Sequence, residues 1–330
     1  MPESFRSTRR EALAFGGLAF GGLAASGASF PALATPRKRA SAIRPRERFL
    51  AGRDPSLTGP PPAQAPAKEG YFAVPGGRLW YWDTGGSGEP VVLMHPMTGS
   101  AQSWVYQQPV LAKAGYRALA FSRRGAFGSQ VEPGADEASP GDDLAFFADA
   151  LQLKRFHLVG AAAGAFAAVR YAQAHQERLL SLALAGSLLG LSEPVHVART
   201  KALMPPQFQD LPAAFRELSP SYRVGNPEGV KRWLAIEESA LSATVDKAAP
   251  TVQARAKAAA TAGPTYADLR SITLPTHLIF GDADLYSPPA LARPLLDVFP
   301  NARLTVIGEA GHATFWEQPE AFNAALLPLG

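Results

Sequence analysis

The chain of 330 residues has no cysteine. Disulfides, thiolate nucleophiles and cysteine-held metals are therefore excluded, while every redox compartment stays open. Charge is sparse as well. Charged residues make up 18% of the chain against 47% hydrophobic, a balance that excludes wholesale disorder. The sequence contains no metal-ligand cluster, phosphate loop or dinucleotide fingerprint, so neither a cofactor nor a metal is expected. The formal charge of +4 is uneven: the first 50 residues carry +6, leaving −2 for the other 280. The globular part thus lacks the basic surplus that nucleic acid requires, and no such partner is expected. One absence is local. In "LVGAAAGAFAAVRYA" (158–172) a strand-like run meets a helix-like run across the frame G-x-A-x-G, and the central residue, Ala162, carries no reactive atom.

What is present begins with an address. In "STRREALAFGGLAFGGLAASGASFPALA", Arg9 and Arg10 precede an uncharged stretch from Ala12 to Ala34, which ends in the small-x-small triplet Ala32-Leu33-Ala34. Gly16, Gly17, Gly21, Gly22 and Gly27 make the stretch a poor spanning helix. Residues 1–34 read as a twin-arginine-like export signal cleaved near Ala34. The protein is then expected in the periplasm or outside the cell, with no stable membrane insertion after cleavage. Residues 35–68, rich in Pro, Arg and Ala and closing on "GPPPAQAPAK", read as a linker.

From Tyr71 onward a pattern of alternation sets in. "YFAVPGGRLWYWDTGG" predicts a hairpin around Pro-Gly-Gly. Short apolar runs at 90–95, 116–122, 155–160 and 179–186 predict buried parallel strands, separated by helical stretches at 103–115, 141–153 and 162–175. Residues 191–265 hold no strand candidate, only helical pieces. Alternation resumes with "PTHLIF" (275–280), a helix near 288–298, "ARLTVI" (302–307) and a closing helix from 318. The expected fold is α/β, a doubly wound and mostly parallel sheet over 69–190 and 266–330, with a helical cap inserted at 191–265.

Four stretches carry the chemistry. "HPMTGS" (95–100) follows a strand. "FSRRGAFGS" (121–129) follows another. The elbow at 160–164 has the small neighbours that a sharp strand-to-helix turn needs. "LIFGDADLYSPP" supplies Asp284, and "GEAGHATFWEQPEAF" supplies His312. In this order the set resembles the α/β-hydrolase fold superfamily, of the capped serine-hydrolase type, over residues 70–330. The resemblance implies that His312 is the base and Asp284 the acid that orients it, with Ala162 at the nucleophile position. It implies oxyanion donors at the amides of Met97 and Ala163, Pro96 standing where glycine is usual. It implies that one of Arg123 and Arg124 is a buried structural arginine, and that Ser122 replaces an aspartate. His95 and Trp104 beside the oxyanion loop, Ser187 at a strand end and Trp233 in the cap are the expected substrate contacts. Met204, Phe208, Leu211, Phe215 and Tyr222 are further cap residues able to line an apolar pocket.

The expected partner is a small-molecule substrate with an apolar portion; oligomeric state is left open. Three readings of Ala162 stand. In one, the residue is serine in a parent protein that hydrolyses an ester, lactone or related carbonyl compound, and was changed to alanine. In another, alanine is native and His312 with Asp284 performs base chemistry of the lyase or cofactor-free oxygenase kind, without a covalent step. In the third, the pocket binds without catalysing. Thr98, Ser100, Ser122 and Ser187 are substitute nucleophiles to be weighed, though none occupies the elbow.

Overall fold

The structure, a computed structural model, describes residues 46–132, 140–242 and 263–329. The expected export signal, the first part of the expected linker and residues 243–262 of the expected cap lie outside these. Among the described residues ten strands form one sheet: β1 (Glu47–Leu50), β2 (Lys68–Val74), β3 (Gly77–Asp83), β4 (Pro90–Met94), β5 (Arg117–Phe121), β6 (Gln130–Val131), β7 (Phe156–Ala161), β8 (Leu179–Ala185), β9 (Thr276–Gly281) and β10 (Ala302–Ile307). The α-helices are α1 (Gln108–Lys113), α2 (Pro140–Ala150), α3 (Ala163–His175), α4 (Pro194–Leu203), α5 (Ala213–Glu217), α6 (Pro220–Gly225), α7 (Pro227–Ser242), α8 (Tyr266–Arg270), α9 (Pro289–Ala292), α10 (Thr314–Glu317) and α11 (Pro319–Leu326).

The hairpin forms as the alternation predicts. β2 and β3 pair antiparallel with Val74 opposite Gly77. Gly76 turns the corner at φ 74°, where a side chain would be strained. The remaining apolar runs are buried on both faces, as parallel strands covered by helices must be. Strand order is β1-β10-β9-β8-β7-β4-β5-β3-β2, with β6 pairing β3. After β5 the chain crosses to the other side of β4, so the order reverses between β4 and β7. In open α/β sheets, ligands bind outside the carboxyl ends of the strands at such a reversal. Apolar clusters cover both faces, one centred on Phe147, Phe156 and Tyr171, the other on Trp104, Phe315 and Trp316.

The linker expected at 35–68 does not extend that far. From Arg46 the chain is part of the fold. β1 adds to the sheet edge parallel to β10. Residues 51–66 have no ladder of their own, and distant amide side chains supply their partners instead. Gln318 exchanges two hydrogen bonds with the backbone of Arg53, at 3.0 and 2.8 Å. Gln108 does the same with Ala65, at 2.8 Å each. Asn226 Nδ2 donates to the carbonyl of Thr58 at 2.8 Å, and the Thr58 hydroxyl to that of Glu317 at 3.2 Å. Proline-rich chain can order itself when its carbonyls are satisfied from outside.

Between β8 and β9 the described residues are helical, α4 to α8, with proline in the first turn of α4 and α6. Trp233 on α7 fastens this layer, its ring 5.9 Å from Phe315 and 5.4 Å from Trp316. No helix among the described residues is long and apolar enough to cross a membrane.

Candidate active site

β7 ends at Ala161 and α3 begins at Ala163, leaving Ala162 alone on the turn at φ 49°, ψ −112°. A non-glycine residue there costs about 1–3 kcal/mol, so its surroundings must impose it. The Ala162 N–H donates to the Ala185 carbonyl at 2.9 Å, and its own carbonyl accepts the Ser187 hydroxyl at 2.8 Å. The flanking glycines are required by contact. A β-carbon on Gly160 would sit 2.6 Å from the Gly164 carbonyl oxygen, and one on Gly164 2.1 Å from that of Met94. At the start of α3 the Ala163 N–H has no intrahelical acceptor and adds the positive end of the helix dipole. The Met97 N–H is on the loop after β4; among the described residues neither amide donates to a protein acceptor.

Asp284 follows β9 and is buried. The N–H groups of Tyr286 and Ser287 donate to Oδ1 at 2.8 and 2.9 Å, and the Ser287 hydroxyl to Oδ2 at 2.6 Å. His312 follows β10, and its Nδ1 lies 3.0 Å from Asp284 Oδ2. Burial alone would raise the Asp284 carboxyl, yet the charge and hydrogen bond of His312, with Ser287, hold it below the ordinary carboxylate value. Burial alone would lower the His312 imidazole. The charge and hydrogen bond of Asp284 outweigh that, with Glu217 and Glu317 adding, and lift it to about 9. The Tyr286 ring packs on the imidazole at 4.5 Å between centroids. Gly186 joins elbow and pair. Its neighbours Ala185 and Ser187 hold Ala162, while its own β-position lies 3.5 Å from His312 Nδ1 and 3.4 Å from Asp284 Oδ2.

This pair carries a pH signature. Folded His312 keeps its proton to about 9, whereas an unfolded histidine releases it near 6.5. Between these values the folded state binds more protons, so stability falls as pH rises through the window. Glu317, raised by burial to about 7, acts below it, and His95 and His277, both lowered by burial to about 3, act below 6.5. Thermal melts from pH 7 to 9.5 are expected to fall by roughly 1–3 kcal/mol of stability in the unmodified chain and to stay flatter in His312→Asn. Equal slopes would dissociate the imidazole from the effect.

Not every residue expected in the site faces it. His95 is buried and fully engaged, with Nδ1 2.7 Å from the Pro96 carbonyl and Nε2 accepting from the Arg123 N–H at 3.1 Å. It braces the loop after β4 against the end of β5, and both its ring nitrogens are taken by backbone groups. Ser187 likewise spends its hydroxyl on Ala162 and on the Leu189 N–H. Trp104 is fully buried on Phe315 at 4.6 Å, and Trp233 packs cap to core. Both belong to the apolar cluster on that face of the sheet and pack against its aromatic rings. Of the substitute nucleophiles, Ser122 accepts the Ala101 N–H and Ser100 caps a short 3₁₀ helix. The structural arginine is Arg124, which is half-buried and paired with the buried Asp143 at 2.9 Å. The guanidinium of Arg123 contacts the carbonyl and sulfur of Met97.

Three residues beside the pair escaped sequence reasoning. Glu217 has its carbonyl bonded to the His312 and Ala313 N–H groups at 2.9 and 3.1 Å. Tyr286 has no motif to mark it. Glu317 sits in the quoted histidine motif and receives the N–H groups of Ser219 at 2.7 Å and Gly311 at 2.9 Å, so the motif itself was its signal. Among the described residues no group of three His, Asp or Glu is placed to hold a metal. Two cavities, of about 250 and 290 Å³, lie under residues 53–62 and at the amino ends of β8 to β10; neither is lined by Ala162, Asp284 or His312.

Comparison with known proteins places this geometry. The model of the Alpha/beta hydrolase family matches residues 91–325. A protein of Mycobacterium tuberculosis bearing the name non-heme bromoperoxidase BpoC is 28% identical over 258 residues, covering 74% of this chain and 95% of its own. A 2-hydroxy-6-oxononadienedioate/2-hydroxy-6-oxononatrienedioate hydrolase of Paraburkholderia phymatum is 29% identical over 271 residues, covering 76% of this chain and 90% of its own. Among solved structures, a thermophilic esterase of Thermogutta terrifontis superposes with a TM-score of 0.61 at 26% identity, covering 79% of this chain and 97% of its own.

Proposed function

The chain belongs to the alpha/beta hydrolase family, and from that premise we propose that it acts on the carbonyl of an ester, lactone or related compound with an apolar portion. The observation that carries the reading is the buried His312–Asp284 pair, 3.0 Å apart, joined through Gly186 to an elbow that keeps its strained backbone while its side chain is a methyl group. In this scheme the carbonyl oxygen rests on the amides of Met97 and Ala163, which have no acceptor among the described residues to give up. With no hydroxyl at 162 the covalent route is closed. His312, its Nδ1 proton fixed on Asp284, takes a proton from water through its other nitrogen, and the water attacks directly. Positioning and an oxyanion site alone can supply several orders of magnitude.

A second reading uses the same base. The hydroxyls of Ser100, Ser122 and Ser187 are committed to backbone groups, which favours chemistry that needs no nucleophile on the protein. Abstraction of a proton next to a carbonyl would then place the enolate oxygen on the same two amides. A binding protein without turnover is the remaining alternative.

The test is hydrolysis of short-chain aryl esters by the unmodified chain. The rate is expected to fall by roughly 10²-fold in His312→Ala, the lower range for loss of a general base. It should rise with pH as the imidazole sheds its proton towards about 9. A rate indifferent to His312 overturns the hydrolytic reading.

A further inference from the structure

Glu217 is a buried acid beside the pair that the scheme above leaves without a task. It closes α5, is 4% exposed, and is locked against the imidazole loop through its carbonyl. The charges its carboxyl meets are, in order, His312, Glu237, Asp284 and Arg216, and burial pushes the carboxyl above its ordinary value. The neighbouring acids differ from it. Asp284 has three protein donors besides His312, and Glu317 has the N–H groups of Ser219 and Gly311. Among the described residues no hydrogen bond or ion pair is made by the Glu217 carboxyl. On α7, Glu237 is also raised by burial and adds like charge. Arg216 reaches the hydroxyl of Tyr286 at 2.8 Å. A buried carboxyl without a donor is costly, and a ligand that brings one relieves the cost. A ligand bringing a second carboxylate meets repulsion that low dielectric strengthens.

We propose that Glu217 is a substrate-contacting carboxyl of this site, accepting a hydrogen bond from a hydroxyl or ammonium group of the substrate and rejecting substrates that carry a carboxylate there. The inference rests on the reading of the site as one that binds a carbonyl compound. It is tested by equilibrium binding, because amides resist turnover. The full chain is titrated at pH 8 with 6-hydroxyhexanamide, 6-aminohexanamide and the monoamide of adipic acid. The first two are expected to bind at least roughly tenfold more tightly than the third. In Glu217→Gln the ratio should shrink to about threefold or less, and the His312 imidazole, followed by NMR, should titrate at lower pH. The imidazole shift checks that the carboxyl lies beside His312, whatever its role; a purely structural glutamate would leave the binding ratio where it was. A second arm needs no variant: burial holds the Glu217 carboxyl above the ordinary carboxylate range, so lowering the pH should narrow the ratio in the unmodified chain before the ligand's own carboxylate takes up a proton.

Equal binding of the three amides, binding of none, or a ratio unchanged by both Glu217→Gln and pH overturns the proposal. Failure of the hydrolytic reading is distinguishable. It appears as ester turnover indifferent to His312 and leaves these equilibria readable.

Discussion

Ala162→Ser is expected to raise kcat/KM on short-chain aryl esters by roughly 10⁴-fold, within the ~10⁶ that separates a complete serine triad from its serine-less form. One oxygen is all that the substitution adds. The turn that would present it is already held, by the Ala185 carbonyl on one side and the Ser187 hydroxyl on the other. The imidazole that would take its proton already has Nδ1 on Asp284. The amides that would receive the oxyanion already lack acceptors among the described residues. The serine form should show a burst of leaving group equal to the enzyme concentration, the mark of an acyl-enzyme. His312→Ala in the serine background should remove both burst and turnover. If a folded Ala162→Ser chain is no faster than the unmodified one, the free nitrogen of His312 does not reach the elbow. Turnover seen only in the serine form, on the other hand, would select the reading in which a parent serine was replaced.

The second large effect is on stability. Gly164→Ala places a β-carbon 2.1 Å from the Met94 oxygen and 2.6 Å from its carbon. Both are backbone atoms at the end of β4, which is pinned between β5 and β7. Neither neighbour can give, so α3 must lift from the sheet. The expected cost is about 3–5 kcal/mol, the range of severe core disruption, read by urea denaturation. Gly99→Ala is the control. Its β-carbon would meet the Ser103 hydroxyl at 2.3 Å, a side-chain atom that can rotate away, and about 1 kcal/mol is expected. A Gly164→Ala chain that loses less than Gly99→Ala would show that the helix-to-strand approach is not rigid.

The sheet was legible because its strands are short apolar runs, and their length and the breakers that flank them distinguish those from helices. The pair Asp284 and His312 was legible because each ends a strand in a short motif, and order along the chain is preserved by topology. Faces were not legible. His95 and Ser187 stand at strand ends, where sequence shows their chemistry but not whether the backbone claims it first. Trp104 and Trp233 were placed against substrate because large aromatics line pockets, yet the same area packs equally well on Phe315. β1 was hidden by composition. Four residues beside proline-rich chain carry no periodic signal, and their partner β10 lies some 250 residues away. Glu217 has no spacing rule either; only the fold of the cap brings it beside the imidazole.

Thr58 holds a position with wider reach than its size suggests. Its carbonyl is gripped by Asn226 at the end of α6, and its hydroxyl grips the carbonyl of Glu317 at the end of α10. A swing of α6 away from the sheet must turn about that residue or break the bond from Asn226. A stretch ahead of the hairpin thereby sets the pivot for access to chemistry that the last strands supply.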